Sequence, residues 1–120
     1  MKNYALWTVN GEEYKLKLRA SETQDLEDKL GTSLFTIMSD IPKLNVMLTI
    51  IHSAMKPFNH GIKRAEVNNI YDDYVDAGGS QLELYTSVLM DIFKVSGFFS
   101  STQTEMLAEK QQEMNQMINQ

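Results

Sequence analysis

The sequence predicts a mainly α, α+β protein: an N-terminal β-hairpin packed on a small bundle of about four to five helices, followed by a polar tail. Three observations carry that class. Two alternating apolar/polar runs flank Asn10-Gly11, the preferred pair for a type I′ hairpin turn. Beyond residue 20 the apolar spacing changes from every second residue to helical periodicity. After Gly97-Phe98-Phe99 the apolar stripe thins, and Gln, Glu, Asn and Met dominate.

A two-residue turn at Asn10-Gly11 pairs Val9 with Glu12, Trp7 with Tyr14 and Ala5 with Leu16. Trp7, Ala5, Tyr14, Leu16 and Leu18 then share one face, with Lys15 and Lys17 on the other. An isolated hairpin is marginal, so that aromatic face is expected to pack on the helices. Ser21-Glu22-Thr23-Gln24 reads as a capping box opening a short helix with Leu26 and Leu30 one turn apart, closed by Gly31. Thr32–Met38 reads as a second short helix presenting Leu34, Phe35 and Met38. Asp40-Ile41-Pro42 reads as the start of a third. From Lys43 to Lys56 apolar residues lie nearly all round, the pattern of a central buried helix.

Pro57–Gly61 breaks the chain. A helix over about Lys63–Asp76 follows, with Val67, Ile70, Tyr71 and Tyr74 on one stripe, and Gly78-Gly79 ends it. Ser80-Gln81-Leu82-Glu83 is a second capping box, opening a helix to about Ser96 with Leu82, Tyr85, Val88, Leu89, Ile92 and Phe93 at helical spacing. Gly97 supplies a left-handed stop, and Phe98 and Phe99 are expected to fold back over the bundle. The compact domain is therefore placed at 1–99. Residues 100–120 are placed apart as a flexible or partner-docked tail, whose stripe of Leu107, Met114, Met117 and Ile118 is interrupted by Gln111. So polar a helix gains stability only by docking, its methionines suit an adaptable surface, and a frayed terminus is the competing reading.

Bulk properties narrow the function. A chain of 120 residues supports one domain. With no cysteines, disulfides, thiolate catalysis and cysteine-based zinc sites are excluded. The net charge of −5 argues against nucleic acid as a partner. No apolar run is long enough to span a bilayer, and no secretory signal is read, so a cytoplasmic protein is expected. Residues 1–19 carry a net of +2, which leaves −7 on the rest. A basic edge beside an acidic body suits self-association, although charge balance alone specifies no partner.

Candidate chemistry is sparse. Asp72-Asp73-Tyr74-Val75-Asp76 matches the Asp-Asp-x-x-Asp pattern that holds magnesium against diphosphates, but a chain this small leaves no room for the cavity those enzymes need, and a solvated acidic face is the better reading. His52 and His60 are separated by Pro57, and His52 is expected to be a hydrogen-bonded, half-buried residue. There is no Gly-x-Ser-x-Gly nucleophile elbow, and no Walker lysine follows Gly78-Gly79. No catalytic, cofactor-binding or metal residue is assigned.

The order of elements carries a resemblance. Asn10–Leu18 leads into Leu26-Glu27-Asp28-Lys29-Leu30-Gly31 and Ser33-Leu34, then Leu48–Met55, Ile70-Tyr71-Asp72-Asp73-Tyr74 and Gly78-Gly79. Over roughly residues 10–99 this resembles the tail assembly chaperones of long-tailed bacteriophages and prophages. The resemblance implies a non-enzymatic protein that coats and solubilises the tape measure protein, helps recruit tail tube subunits, works in the cytoplasm of the bacterial host and is absent from the mature virion. It also implies a minor frameshifted product extended at its C-terminus. The family transfers no site residue, so partner contacts are assigned on physical grounds to Phe98, Phe99, Leu107, Met114, Met117 and Ile118. The alternative is a small self-associating connector or regulatory module, a homo-oligomer.

Overall fold

Strands β1 (Ala5–Val9) and β2 (Glu12–Leu16) pair antiparallel with Ala5 opposite Leu16, Trp7 opposite Tyr14 and Val9 opposite Glu12. This comes from a computed structural model that describes residues 3–118, the side chains of Ser101, Thr104, Leu107 and Ala108 excepted. The expected register is the observed one. Asn10 and Gly11 both take positive φ, 52° and 82°, as a type I′ turn requires. Ala5, Trp7, Val9, Leu16 and Leu18 are buried. The Lys17 N–H donates to Ala54 O at 2.9 Å and the Leu18 N–H to Ser96 Oγ at 2.9 Å, so the end of the hairpin is tied to two helices.

Helix α1 spans Ala20–Leu30. It starts earlier than the Ser21–Gln24 box predicted, because the Glu22 carboxylate accepts the Arg19 N–H at 2.9 Å and Ser21 lies inside the helix. Its end is as expected: Gly31 has φ 74° and donates to Glu27 O at 2.9 Å. The Glu27 carboxylate in turn accepts the Leu34 N–H at 2.9 Å, joining α1 to the short helix α2 (Leu34–Met38), which Ser33 caps.

Helix α3 spans Leu44–Met55 and is buried over most of its circumference, including Met47, Ile50, Ile51, Ala54 and Met55. Its start is later than Pro42 suggested. Lys43 is the extended N-cap, and the Asp40 carboxylate is engaged by the adjacent Ile41 N–H at 2.8 Å, so it caps nothing in α3. Helix α4 (Arg64–Asp76) buries Val67 and packs on α3. The Arg64 guanidinium of α4 reaches Asn45 Oδ1 of α3 at 2.9 Å and is steadied by Asn68 Oδ1 of its own helix at 2.7 Å.

Gly79 comes so close to Tyr74 that a Cβ there would overlap the phenol ring. That approach explains the Gly-Gly step, and Ser80 then caps the next helix through the Glu83 N–H at 3.1 Å. Helix α5 is continuous but not uniform: a first turn Gln81–Glu83, a π-helical stretch Leu84–Leu89, then Met90–Val95. It buries Leu84, Leu89, Ile92 and Phe93 completely. Helix α6 spans Ser101–Ile118. The α+β class is therefore as read, with a hairpin on six helices and one core running from Trp7 through α3 to Phe93.

Candidate functional site

The π-helical stretch creates the polar half of the site. The Met90 N–H reaches Tyr85 O and Ser87 O and passes over Thr86 O, which lies between them. A half-buried carbonyl needs a donor from elsewhere, and π turns are recurrent at functional positions. The Gln111 side-chain amide of α6 donates to Thr86 O. The other end of the same amide, Gln111 Oε1, accepts from the Lys94 ammonium. One turn further along α6, Asn115 Oδ1 accepts the Thr86 hydroxyl at 3.0 Å. Gln111 and Asn115 are four apart and so share one face. They clip α6 to α5 by hydrogen bonds.

Beside this clip runs an open, mainly apolar groove of about 320 Å³. Phe35 and Met38 of α2 form one wall, Tyr85 and Met90 of α5 the floor, and Phe99 and Met114 the remaining sides. The Tyr85 hydroxyl donates to Met38 O at 3.2 Å, bridging floor and wall. Burial, with a smaller contribution from the negative charge of Asp40, pushes its pKa up, so it remains a hydrogen-bond donor at neutral pH.

The connection from α5 to α6 positions the aromatic residues. Gly97 has φ 83°, and the Phe98 N–H donates back to Phe93 O at 3.2 Å, a left-handed helix stop. That turn sets the Phe98 ring 5.1 Å from Phe93 and 5.5 Å from Phe35, with Phe99 6.2 Å from Phe35. Helix α6 opens on a reciprocal box: the Ser100 N–H donates to Gln103 Oε1 at 2.8 Å and the Gln103 N–H to Ser100 Oγ at 3.2 Å.

Of the six residues assigned from sequence, Phe99 and Met114 line the groove, while Phe98 is half-buried in the aromatic cluster beside it. Met117 and Ile118 are exposed near the end of α6 and stand outside the groove lining. The Leu107 side chain lies outside the described residues. Sequence reasoning missed Phe35, Met38, Tyr85 and Met90, which belong to two different helices, and it missed the role of Gln111. The signal for Gln111 was present: it interrupts an apolar stripe, and the interruption is the clip.

The remaining candidates have plain positions. His52 Nε2–H donates to Ile62 O at 2.9 Å. Asp72, Asp73 and Asp76 are exposed on α4, and among the described residues no three His, Cys, Asp or Glu side chains are grouped to hold a metal ion. No helix among the described residues is long and apolar enough to cross a membrane.

One sequence-family comparison bears on this arrangement. The chain matches, over residues 4–117, a family described as a family of unknown function (DUF6096), and it belongs to that family. The match runs through the hairpin, the bundle and nearly all of α6. No curated protein and no solved structure matches the chain.

Proposed function

We propose that this member of the DUF6096 family is a non-enzymatic protein-binding chaperone, and that its client is the tape measure protein of a long-tailed phage or prophage. In this reading it keeps the client soluble in the bacterial cytoplasm, helps recruit tail tube subunits and leaves before the virion is complete. The observation that carries it is the groove between α2, α5 and α6: an apolar trough flanked by methionines and a side-chain clip, with Phe35 56% exposed at its lip. Such a trough accepts one face of an amphipathic helix, and methionine lining tolerates imperfect fits along a repetitive client. Several copies on one filament would gain avidity without new contacts.

Co-expression with a tape measure fragment tests the proposal. The expected result is a fragment that stays in the soluble fraction with this chain and pellets without it; equal insolubility in both cases overturns the reading. A second reading, a self-associating connector, draws on the exposed acidic row Asp72, Asp73 and Asp76 opposite in charge to the exposed Lys15 of the hairpin. It predicts a stable closed oligomer by light scattering, with a mass sensitive to salt.

A further inference from the structure

The strip of α5 beneath α6 shows by its present occupant what it accepts. Thr86 O, bypassed by the π turn, takes a carboxamide N–H from Gln111. Lys94, only 14% exposed, presents its ammonium to the same amide. The Thr86 hydroxyl meets a second carboxamide one helical turn on, at Asn115, and Met114 enters the groove alongside. This is a pattern for a helix: two carboxamides four apart and a flexible apolar side chain next to them.

We infer that this strip is a docking seat for an amphipathic helix of the client protein with that same chemistry, and that α6 is the intramolecular competitor occupying it until the client arrives. The inference rests on the protein-binding reading of the groove and adds how the groove is filled and controlled. The attachment of α6 suits a competitor. Among its described side chains it is held to α5 by directional polar contacts that water can replace and by Met114 in the groove, while Met106, Met117 and Ile118 are left exposed. Its connection to α5 is the five residues 96–100, with a positive-φ glycine at the second of them. A tether this short gives α6 an effective concentration on the order of millimolar, so a helix of equal chemistry in trans loses to it. A client helix wins by adding apolar contacts in the groove, or when the clip is weakened. The apparent affinity for the client is then the intrinsic one reduced by the fraction of open chains.

The absence of cysteine makes the strap easy to lock. Thr86→Cys with Asn115→Cys in the full chain puts one thiol on each side of the contact at which the Thr86 hydroxyl now meets Asn115 Oδ1 at 3.0 Å. The sulfur at position 115 falls one bond short of Oδ1, so closure of the disulfide is established by mass before binding is read. The probe is a labelled synthetic peptide of residues 100–118, the helix that the seat is seen to accept, followed by fluorescence anisotropy. The reduced double variant is expected to bind the peptide at least ten-fold more tightly than its oxidised form, and reduction should restore binding to the oxidised sample. In the cysteine-free full chain, Gln111→Ala should bind the peptide at least three-fold more tightly than the unaltered chain, because the strap loses its clip while the seat keeps Thr86 and Lys94. Equal binding by oxidised and reduced forms overturns the inference, as does an absence of binding by every form up to millimolar peptide. A doubled mass of the full chain by light scattering, without peptide, assigns the seat to a second copy and also overturns it. Peptide exchange beside an insoluble tape measure fragment would overturn the client's identity alone; a solubilised fragment without peptide exchange would overturn the strap alone.

Discussion

The hairpin and α6 both lie against the outside of the helical bundle, and they are held there by opposite means. The hairpin is attached by its apolar face. Trp7 is 2% exposed, with its ring 5.5 Å from Tyr74 and 6.3 Å from Tyr14, and Leu16 has no exposed surface. Its indole N–H has no partner among the described residues, a cost of about 1–3 kcal/mol that the burial of so large a ring outweighs. Among its described side chains, helix α6 is attached chiefly by carboxamides with Met114 beside them, and Met106 and Met117 face solvent. The contrast teaches that one chain can carry a permanent attachment and a removable one. Apolar burial is lost only when the core opens. A polar clip exchanges with water at little net cost per bond.

The sharpest break in that comparison is Trp7→Ala. Deleting a buried aromatic side chain typically costs about 3–5 kcal/mol, so the whole molecule should melt at markedly lower temperature in a calorimetric scan, hairpin and bundle together. Gly79→Ala attacks the same region from the other side. A methyl there meets the Tyr74 ring, and overpacking costs about 1–3 kcal/mol; a chemical denaturation midpoint equal to that of the unaltered chain would show that Tyr74 yields.

Tyr74 also links the hairpin side to pH. Burial, then the charge of Glu83, pushes its pKa up to about 12 from an ordinary 10. A raised folded-state pKa favours the neutral phenol, so its contribution is complete below pH 10 and is lost as pH climbs from about 10 to about 12. Tyr14 and Tyr85 shift in the same direction, chiefly by burial. Unfolding free energy should therefore fall across that window, less steeply in Tyr74→Phe. The smallest effect is expected at the clip: Gln111→Ala removes hydrogen bonds worth about 1 kcal/mol. Its signature is local, with faster amide exchange along α6 and unchanged protection in α3. Equal acceleration in both helices would erase the distinction between the two attachments.

Much of the hairpin side was legible in the sequence because its determinants are local. Asn10-Gly11 sets the turn, the alternation sets the face, and Gly31, Ser80 and Gly97 mark helix ends by their own backbone chemistry. The starts of α1 and α3 were misplaced by two or three residues for local reasons: Glu22 accepts the Arg19 N–H three residues back and Asp40 the adjacent Ile41 N–H, which spacing alone does not reveal. The α6 side was less legible because its determinants are tertiary. A spacing of Leu82, Tyr85, Val88, Leu89, Ile92 and Phe93 reads as an α-helix whether or not a π turn intervenes, and nothing in it announces that the Met90 N–H passes over Thr86 O. Phe35 and Met38 meet Tyr85 and Met90 only when the chain folds. The cap at Ser100 and Gln103 went unread, although it repeats the pattern at Ser80 and Glu83, and the segment it opens is helical.

The π stretch of α5 has a consequence for how the chain can vary in length. Each five-residue ring holds one residue more than an α turn, and one residue is an angular step of about 100°. The stretch Leu84–Leu89 therefore acts as a phase shifter between the two halves of α5. It lets Leu84 and Leu89 within it and Ile92 and Phe93 after it all reach full burial. Deleting a single residue such as Ser87 would return the helix to regular winding and give Thr86 O a partner in its own helix while leaving Ile92 and Phe93 in phase with the core. It is regular winding of the undeleted sequence that would swing Phe93 by about 100° around the axis. The π winding thus keeps the core in step with one residue to spare and turns Thr86 O toward α6, so a chain one residue shorter could keep the core and lose the contact with α6.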